Sequence, residues 1–165
     1  MQFSLTFTAS FVAAASAALP PINLGYFDYP HGNQFVAWTP FTPTTTQELA
    51  EVANSLGAIK GTATWTAIRT DNIYTTDPIC RNPFNITDDA TNSTYLNLEL
   101  ACVNDDVPLW AKPEVTAVVD RTTNTTVETC VPVTQDGGAW FAESTKYIGS
   151  SLEYAFACSE PDASA

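Results

Sequence analysis

Leu96-Asn97-Leu98-Glu99-Leu100-Ala101-Cys102 alternates apolar and polar residues and ends in cysteine, and Leu152-Glu153-Tyr154-Ala155-Phe156-Ala157-Cys158 repeats that pattern near the end of the chain. Alternation with period two is the signature of a pleated strand that buries one face. Each segment therefore reads as a strand whose apolar face closes on a cysteine. Glu99 and Glu153 fall on the opposite faces and are expected to meet solvent. The likeness of the two segments also raises an internal structural duplication, set against the fact that alternating strands resemble one another.

Working outward, Glu114 to Asp120 and Thr125 to Val133 are β-branched runs around Arg121-Thr122-Thr123-Asn124, a hairpin pattern. Ala139 to Ile148 and Ser151 to Cys158 flank Gly149-Ser150 and predict a second hairpin. Thr62 to Ala67 alternates Thr with Ala and Trp, which places Trp65 on a core face, and Gln34 to Trp38 reads as a short strand. One helix is signalled, over about Thr46 to Leu56. Thr45 and Glu48 have capping-box spacing, Leu49, Val52, Ala53 and Leu56 form one stripe, and Gly57 sits where a helix ends. The fold class is mainly β: an antiparallel β-sandwich or barrel of six to eight strands with one short helix.

The ends set the domain plan. Residues 1–18 read as a signal peptide: Phe7 to Ala18 is mostly apolar and uncharged, and Ala15-Ser16-Ala17 offers small residues for cleavage before Pro20 and Pro21. Residues 19–43 read as a Pro- and aromatic-rich N-terminal arm. Residues 44–160 read as the disulfide-stapled β domain, and 161–165 as a short polar tail. Four cysteines in an exported chain predict disulfides from Cys80, Cys102, Cys130 and Cys158. The simplest pairing is Cys80 with Cys102 and Cys130 with Cys158. Four cysteines allow three connectivities, and spacing alone does not choose among them.

The chain carries 6 Lys plus Arg against 18 Asp plus Glu, a net charge of −12. Such a surface repels phosphate backbones and anionic lipid, so neither nucleic acid nor membrane is an expected partner. Three sequons, at Asn85, Asn92 and Asn124, fall in loop-like stretches and are the candidate glycosylation sites.

Chemistry finds few footholds. The single histidine, His31, lies in a turn-like Tyr29-Pro30-His31-Gly32 run, and no Gly-x-Ser-x-Gly elbow occurs. Asp88-Asp89 and Asp105-Asp106 are adjacent pairs that diverge or are solvated, unlike the paired carboxyls of a glycosidase. The oxygen-rich set Asn85, Asp88, Asp89 and Asn92 lacks calcium-loop spacing, and no zinc spacing exists. No catalytic residue, metal or cofactor is expected. Aromatics are the better hint: Trp38, Trp65, Trp110 and Trp140, with Tyr26, Tyr29, Tyr74 and Tyr147, suit hot spots as well as cores. Trp110, in the Pro-bounded run Val107-Pro108-Leu109-Trp110-Ala111-Lys112-Pro113, is the candidate for an exposed contact.

With its signal at Met1 to Ala18, one β-rich domain, and Cys-terminated strands at Leu96 to Cys102 and Leu152 to Cys158, the chain resembles small secreted fungal proteins, effector-like ones included. Among known families it is most similar to the Alternaria major-allergen family of disulfide-bonded β-barrels. The helix at Thr46 to Leu56 and the long spans between cysteines depart from that family. The resemblance implies an extracellular, non-enzymatic, interaction-type role and transfers no site residue. The expected function is a secreted, non-catalytic β-domain that binds an extracellular protein or glycan, in host or cell-wall interaction. The alternatives are a small extracellular hydrolase using carboxylates and a purely structural surface protein.

Overall fold

The computed structural model describes residues 19–30, 32–55, 64–71, 78–88 and 90–161, with the side chains of 64, 65 and 69–71 left aside. The expected export signal, His31, Leu56, Gly57, Thr62, Ala63, Tyr74, Asp89 and residues 162–165 lie outside this set, as does the side chain of Trp65. No described helix is long and apolar enough to cross a membrane.

Among the described residues nine antiparallel strands form one sheet: β1 (Asn23–Tyr29), β2 (Gly32–Thr39), β3 (Thr64–Asp71), β4 (Phe84–Asp88), β5 (Ser93–Cys102), β6 (Val115–Asp120), β7 (Thr125–Pro132), β8 (Trp140–Glu143) and β9 (Ser151–Ser159). They hydrogen-bond in the order β3-β2-β1-β9-β7-β6-β5-β4, with β8 added to β9. The end strands β3 and β4 lie against each other, so the sheet curls into a nearly closed barrel. This is the mainly β, antiparallel fold that the alternating segments predict, with nine strands where six to eight are expected and one α-helix among the described residues. Both predicted hairpins are present, as β6–β7 and as β8–β9 joined by residues 144–150.

The N-terminal residues depart from the expected arm. Asn23–Tyr29 and Gly32–Thr39 form a hairpin in the sheet, paired to β9 on one side and β3 on the other. The physical reason is that the aromatics are not an outer decoration. Tyr26 and Phe35 pack edge to face inside the barrel, with centroids 4.9 Å apart, while Phe27, Val36 and Trp38 point outward under the helix. Pro30, Pro40 and Pro43 sit between or beyond the strands, where a missing N–H breaks no ladder.

Helix α1 (Thr46–Asn54) is shorter at its C-terminus than predicted and is capped by Ser55. The capping box forms as the sequence indicates: Glu48 N–H donates to Thr45 Oγ1 at 3.2 Å, and Thr45 N–H donates to Glu48 Oε2 at 3.0 Å. Its stripe of Leu49, Val52 and Ala53 is buried against the outer faces of β1, β2, β8 and β9. The molecule thus has two cores, one inside the barrel and one between barrel and helix. Replacing Thr45 by alanine is expected to cost about 1 kcal/mol, read as a lower midpoint in urea unfolding with an unchanged slope.

The outer core is anchored by polar bonds. Trp38 Nε1 and Asn23 Nδ2 both donate to the Phe41 carbonyl, at 3.0 and 3.2 Å. The Tyr154 hydroxyl donates to Asn23 Oδ1, and burial pushes that phenol up to about 12. Disulfides join Cys80 to Cys102 and Cys130 to Cys158. The first ties the approach to β4 onto the end of β5. The second links directly opposed residues of β7 and β9.

Candidate functional site

A bulge decides where the site forms. On the β1–β9 ladder Leu24 faces Phe156 and Gly25 faces Tyr154, which leaves Ala155 without a partner. An extra residue shifts the two-residue alternation by one. Phe156 and Cys158 consequently point into the barrel, whereas Leu152 and Tyr154 point toward the helix. Glu153 then faces the barrel side and is buried, not solvent-facing as the uninterrupted alternation predicts. A bulge also interrupts β4–β5, where Phe84 faces Leu98 and Ile86 faces Tyr95. Asn97 takes the left-handed conformation there, with φ of 60°, and Leu96 is left exposed while Leu98 and Leu100 are buried.

Glu153 is the middle of a cross-strand row. Tyr26 opposes it on β1 and Phe141 opposes it on β8. Over this row lies Lys112, whose ammonium forms an ion pair with Glu153 Oε2 and sits 5.3 Å from the Tyr26 ring centroid and 5.8 Å from that of Phe141. Lys112 ends the 3₁₀ turn Leu109–Ala111, in the left-handed conformation with φ of 50°. That conformation favours glycine. It is held by Lys112 N–H donating to the Leu109 carbonyl at 3.0 Å, and it turns a long cationic side chain over the row. Burial, with the nearby Glu153 carboxylate adding to it, drives the Tyr26 hydroxyl far above the ordinary phenol range, so it stays protonated. The hydroxyl donates to the Pro113 carbonyl at 3.4 Å.

Tyr26, Lys112 and Glu153 line a groove of about 520 Å³, together with Glu114 and the Pro132–Ala139 approach to β8. Trp110, on the same 3₁₀ turn as the residues leading into Lys112, is 70% exposed, and Phe141 is 48% exposed. The sequence-based choice of Trp110 as an exposed aromatic agrees with this placement. Trp38 and Trp140 are buried. A smaller cleft of about 380 Å³ lies beside Phe27, Tyr29 and Tyr147, under the loop 144–150. Asn54 Oδ1 fixes that loop by accepting from Ser144 Oγ, Thr145 N–H and Lys146 N–H, and the loop carries Ile148 at 91% exposure.

The other candidate residues are placed as follows. Asn85, Asn92 and Asn124 are all exposed, but Asn85 lies in strand β4 and not in the loop expected for it. Asn92 and Asn124 lie in the β4–β5 and β6–β7 turns, which the antiparallel order brings to one end of the sheet. The groove opens near the other end, where β6 begins and β7 finishes. Asp88 closes its own turn by accepting from Ala90 N–H and Thr91 Oγ1. Asp105 pairs with Arg81 at 2.5 Å. Glu99 is half-buried and pairs with Arg121 at 2.8 Å, so it too is engaged rather than free in solvent. The Lys112–Glu153–Tyr26 set escaped the sequence reading. Its only trace there is Lys112 between two prolines in a run already marked by Trp110.

Fold and groove together define a disulfide-stapled, nearly closed antiparallel β-barrel with one packed helix and a cation-capped aromatic groove at its rim. Comparison with protein-family models, curated proteins and solved structures finds no match. Two disulfides are compatible with an extracellular protein.

Proposed function

We propose that this chain is a secreted, non-catalytic β-domain that binds an extracellular glycan or protein through the groove at Lys112. The observation that carries the reading is the 70% exposure of Trp110 on the turn that delivers Lys112 over Tyr26 and Phe141. A flat exposed indole, a second exposed ring and a fixed ion pair provide a stacking surface with polar groups for orientation. The rings sit on strands or a braced turn, so little order need be lost on binding. Export by residues 1–18 and glycosylation at Asn85, Asn92 and Asn124 belong to the same proposal. Glycans on Asn92 and Asn124, at the turn end of the sheet, would leave the groove end clear.

Trp110→Ala is expected to weaken binding at least tenfold, by analogy with aromatic hot spots, while leaving thermal unfolding unchanged because the indole is exposed. Glycan arrays and crosslinking to secreted proteins, run with the glycosylated protein and this variant, test the reading. Binding lost in the variant supports it. No binding by the unaltered protein to any glycan or secreted protein overturns it. One observation favours a hydrolase instead: Glu114 and Glu153 line the same groove, and two carboxyls about 5–10 Å apart can cleave a glycosidic bond. Reducing-sugar release that Glu153→Gln abolishes would replace the binding reading with that one.

A further inference from the structure

The barrel interior holds a carboxyl group that the groove does not use. Glu128 on β7 is 0% exposed and stands opposite Val118 of β6, two residues from Cys130, all within the inner core. Its Oε2 accepts the Ile22 N–H at 3.3 Å. Its Oε1 meets no hydrogen-bonding group among the described residues. The Ile22 carbonyl, in turn, accepts the Cys158 N–H at 2.8 Å. The segment 19–22 is therefore held on both sides, by β9 through its backbone and by β7 through one side chain. Leu19 and Ile22 pack into the inner core.

The geometry points to Glu128 as a buried proton-binding latch: in the folded protein its Oε1 carries a proton, and the neutral carboxyl clamps the segment before β1 between β7 and β9. An ionised carboxylate with one oxygen unpartnered in an apolar core would be far more costly than a neutral one. Among the described residues no cation pairs with it. Glu160, just past β9, bears on it as a like charge. The segment 19–22 is uncharged, Val118 faces it from β6, and Cys130 and Cys158 are oxidised. Burial pushes the Glu128 carboxyl up to about 8, the Ile22 N–H opposes that rise, and Glu160 adds a smaller push.

The sign follows from linkage. The folded carboxyl binds its proton more tightly than the unfolded one. Its stabilisation is complete below the ordinary value of 4.5 and is lost as pH rises through about 8. Between those limits the folded-to-unfolded ratio falls by up to about tenfold per pH unit from this group alone. The latch thus favours the fold in acidic surroundings.

Two measurements test it. Carbon-detected NMR of the unaltered protein should show the Glu128 side-chain carboxyl titrating near pH 8, with the Ile22 amide shift following the same midpoint. A Glu128 midpoint at or below 4.5, or an Ile22 amide that ignores it, overturns the latch. Urea unfolding at stepped pH should give Glu128→Gln a shallower loss of stability from pH 4.5 to 8 than the unaltered protein. Parallel curves for the two would also overturn it.

Discussion

Replacing Cys130 and Cys158 together by alanine is expected to lower stability by about 3.5 kcal/mol, the loop-closure entropy of a bridge spanning this separation. For a domain whose net stability is about 5–15 kcal/mol, that is a large fraction. The location should make the loss worse. The sheet order places β3-β2-β1-β9 on one side and β7-β6-β5-β4 on the other, and among the described strands only the β7–β9 ladder joins the two groups on that side. That ladder runs from Thr129–Ser159 to Pro132–Phe156, and the disulfide lies within it. The Cys80–Cys102 bridge closes a loop of similar length, 22 residues of separation against 28. Chain entropy alone predicts nearly equal losses for the two variants. The seam argument predicts a clearly larger loss for Cys130/Cys158. Equilibrium unfolding in guanidinium decides between them, and equal midpoints would remove the seam argument.

Gly25→Ala is expected to cost about 1–3 kcal/mol, the range for forcing a methyl group into a packed core. A Cβ at this position would lie 2.4 Å from the Glu153 carbonyl oxygen and 3.0 Å from both Leu152 Cδ1 and Trp38 Cζ3. The nearest obstacle is backbone, so no side-chain rotation relieves it. Gly25 is required for close approach at the bulge that leaves Ala155 without a β1 partner and turns Glu153 inward. The substitution should therefore move the Glu153–Lys112 pair as well as destabilise the fold, and groove binding should weaken beyond what unfolding explains. Gly138→Ala is the control: its added methyl would meet only the Gln135 carbonyl oxygen, at 3.8 Å, and thermal unfolding should barely change. A stable Gly25→Ala with unaltered binding would show that β9 can yield at this point.

Much of the fold is legible residue by residue. The Thr45–Glu48 box and the Leu49, Val52, Ala53 stripe specify a helix that needs no distant information to start. Thr125 to Pro132 and Val115 to Asp120 pair around a short polar turn because hairpins are local. The exposure of Trp110 between Pro108 and Pro113 could also be anticipated, since prolines on both sides keep so short a run out of a central strand. Period two also puts Glu128 on the same face of its strand as Cys130, and both are buried.

The paired alternating segments show where such reading stops. Leu96 to Cys102 and Leu152 to Cys158 by themselves determined that the chain forms cysteine-ended strands with one buried face, and hence a stapled β fold. Only the tertiary structure decided which residues of those strands face which way. The bulges at Ala155 and Asn97 belong to the register between two strands, so neither strand's pattern contains them. Each bulge shifts the alternation by one residue. One turned Leu96 out. The other turned Glu153 in, where Tyr26 and Lys112, brought from two distant parts of the chain, complete the groove.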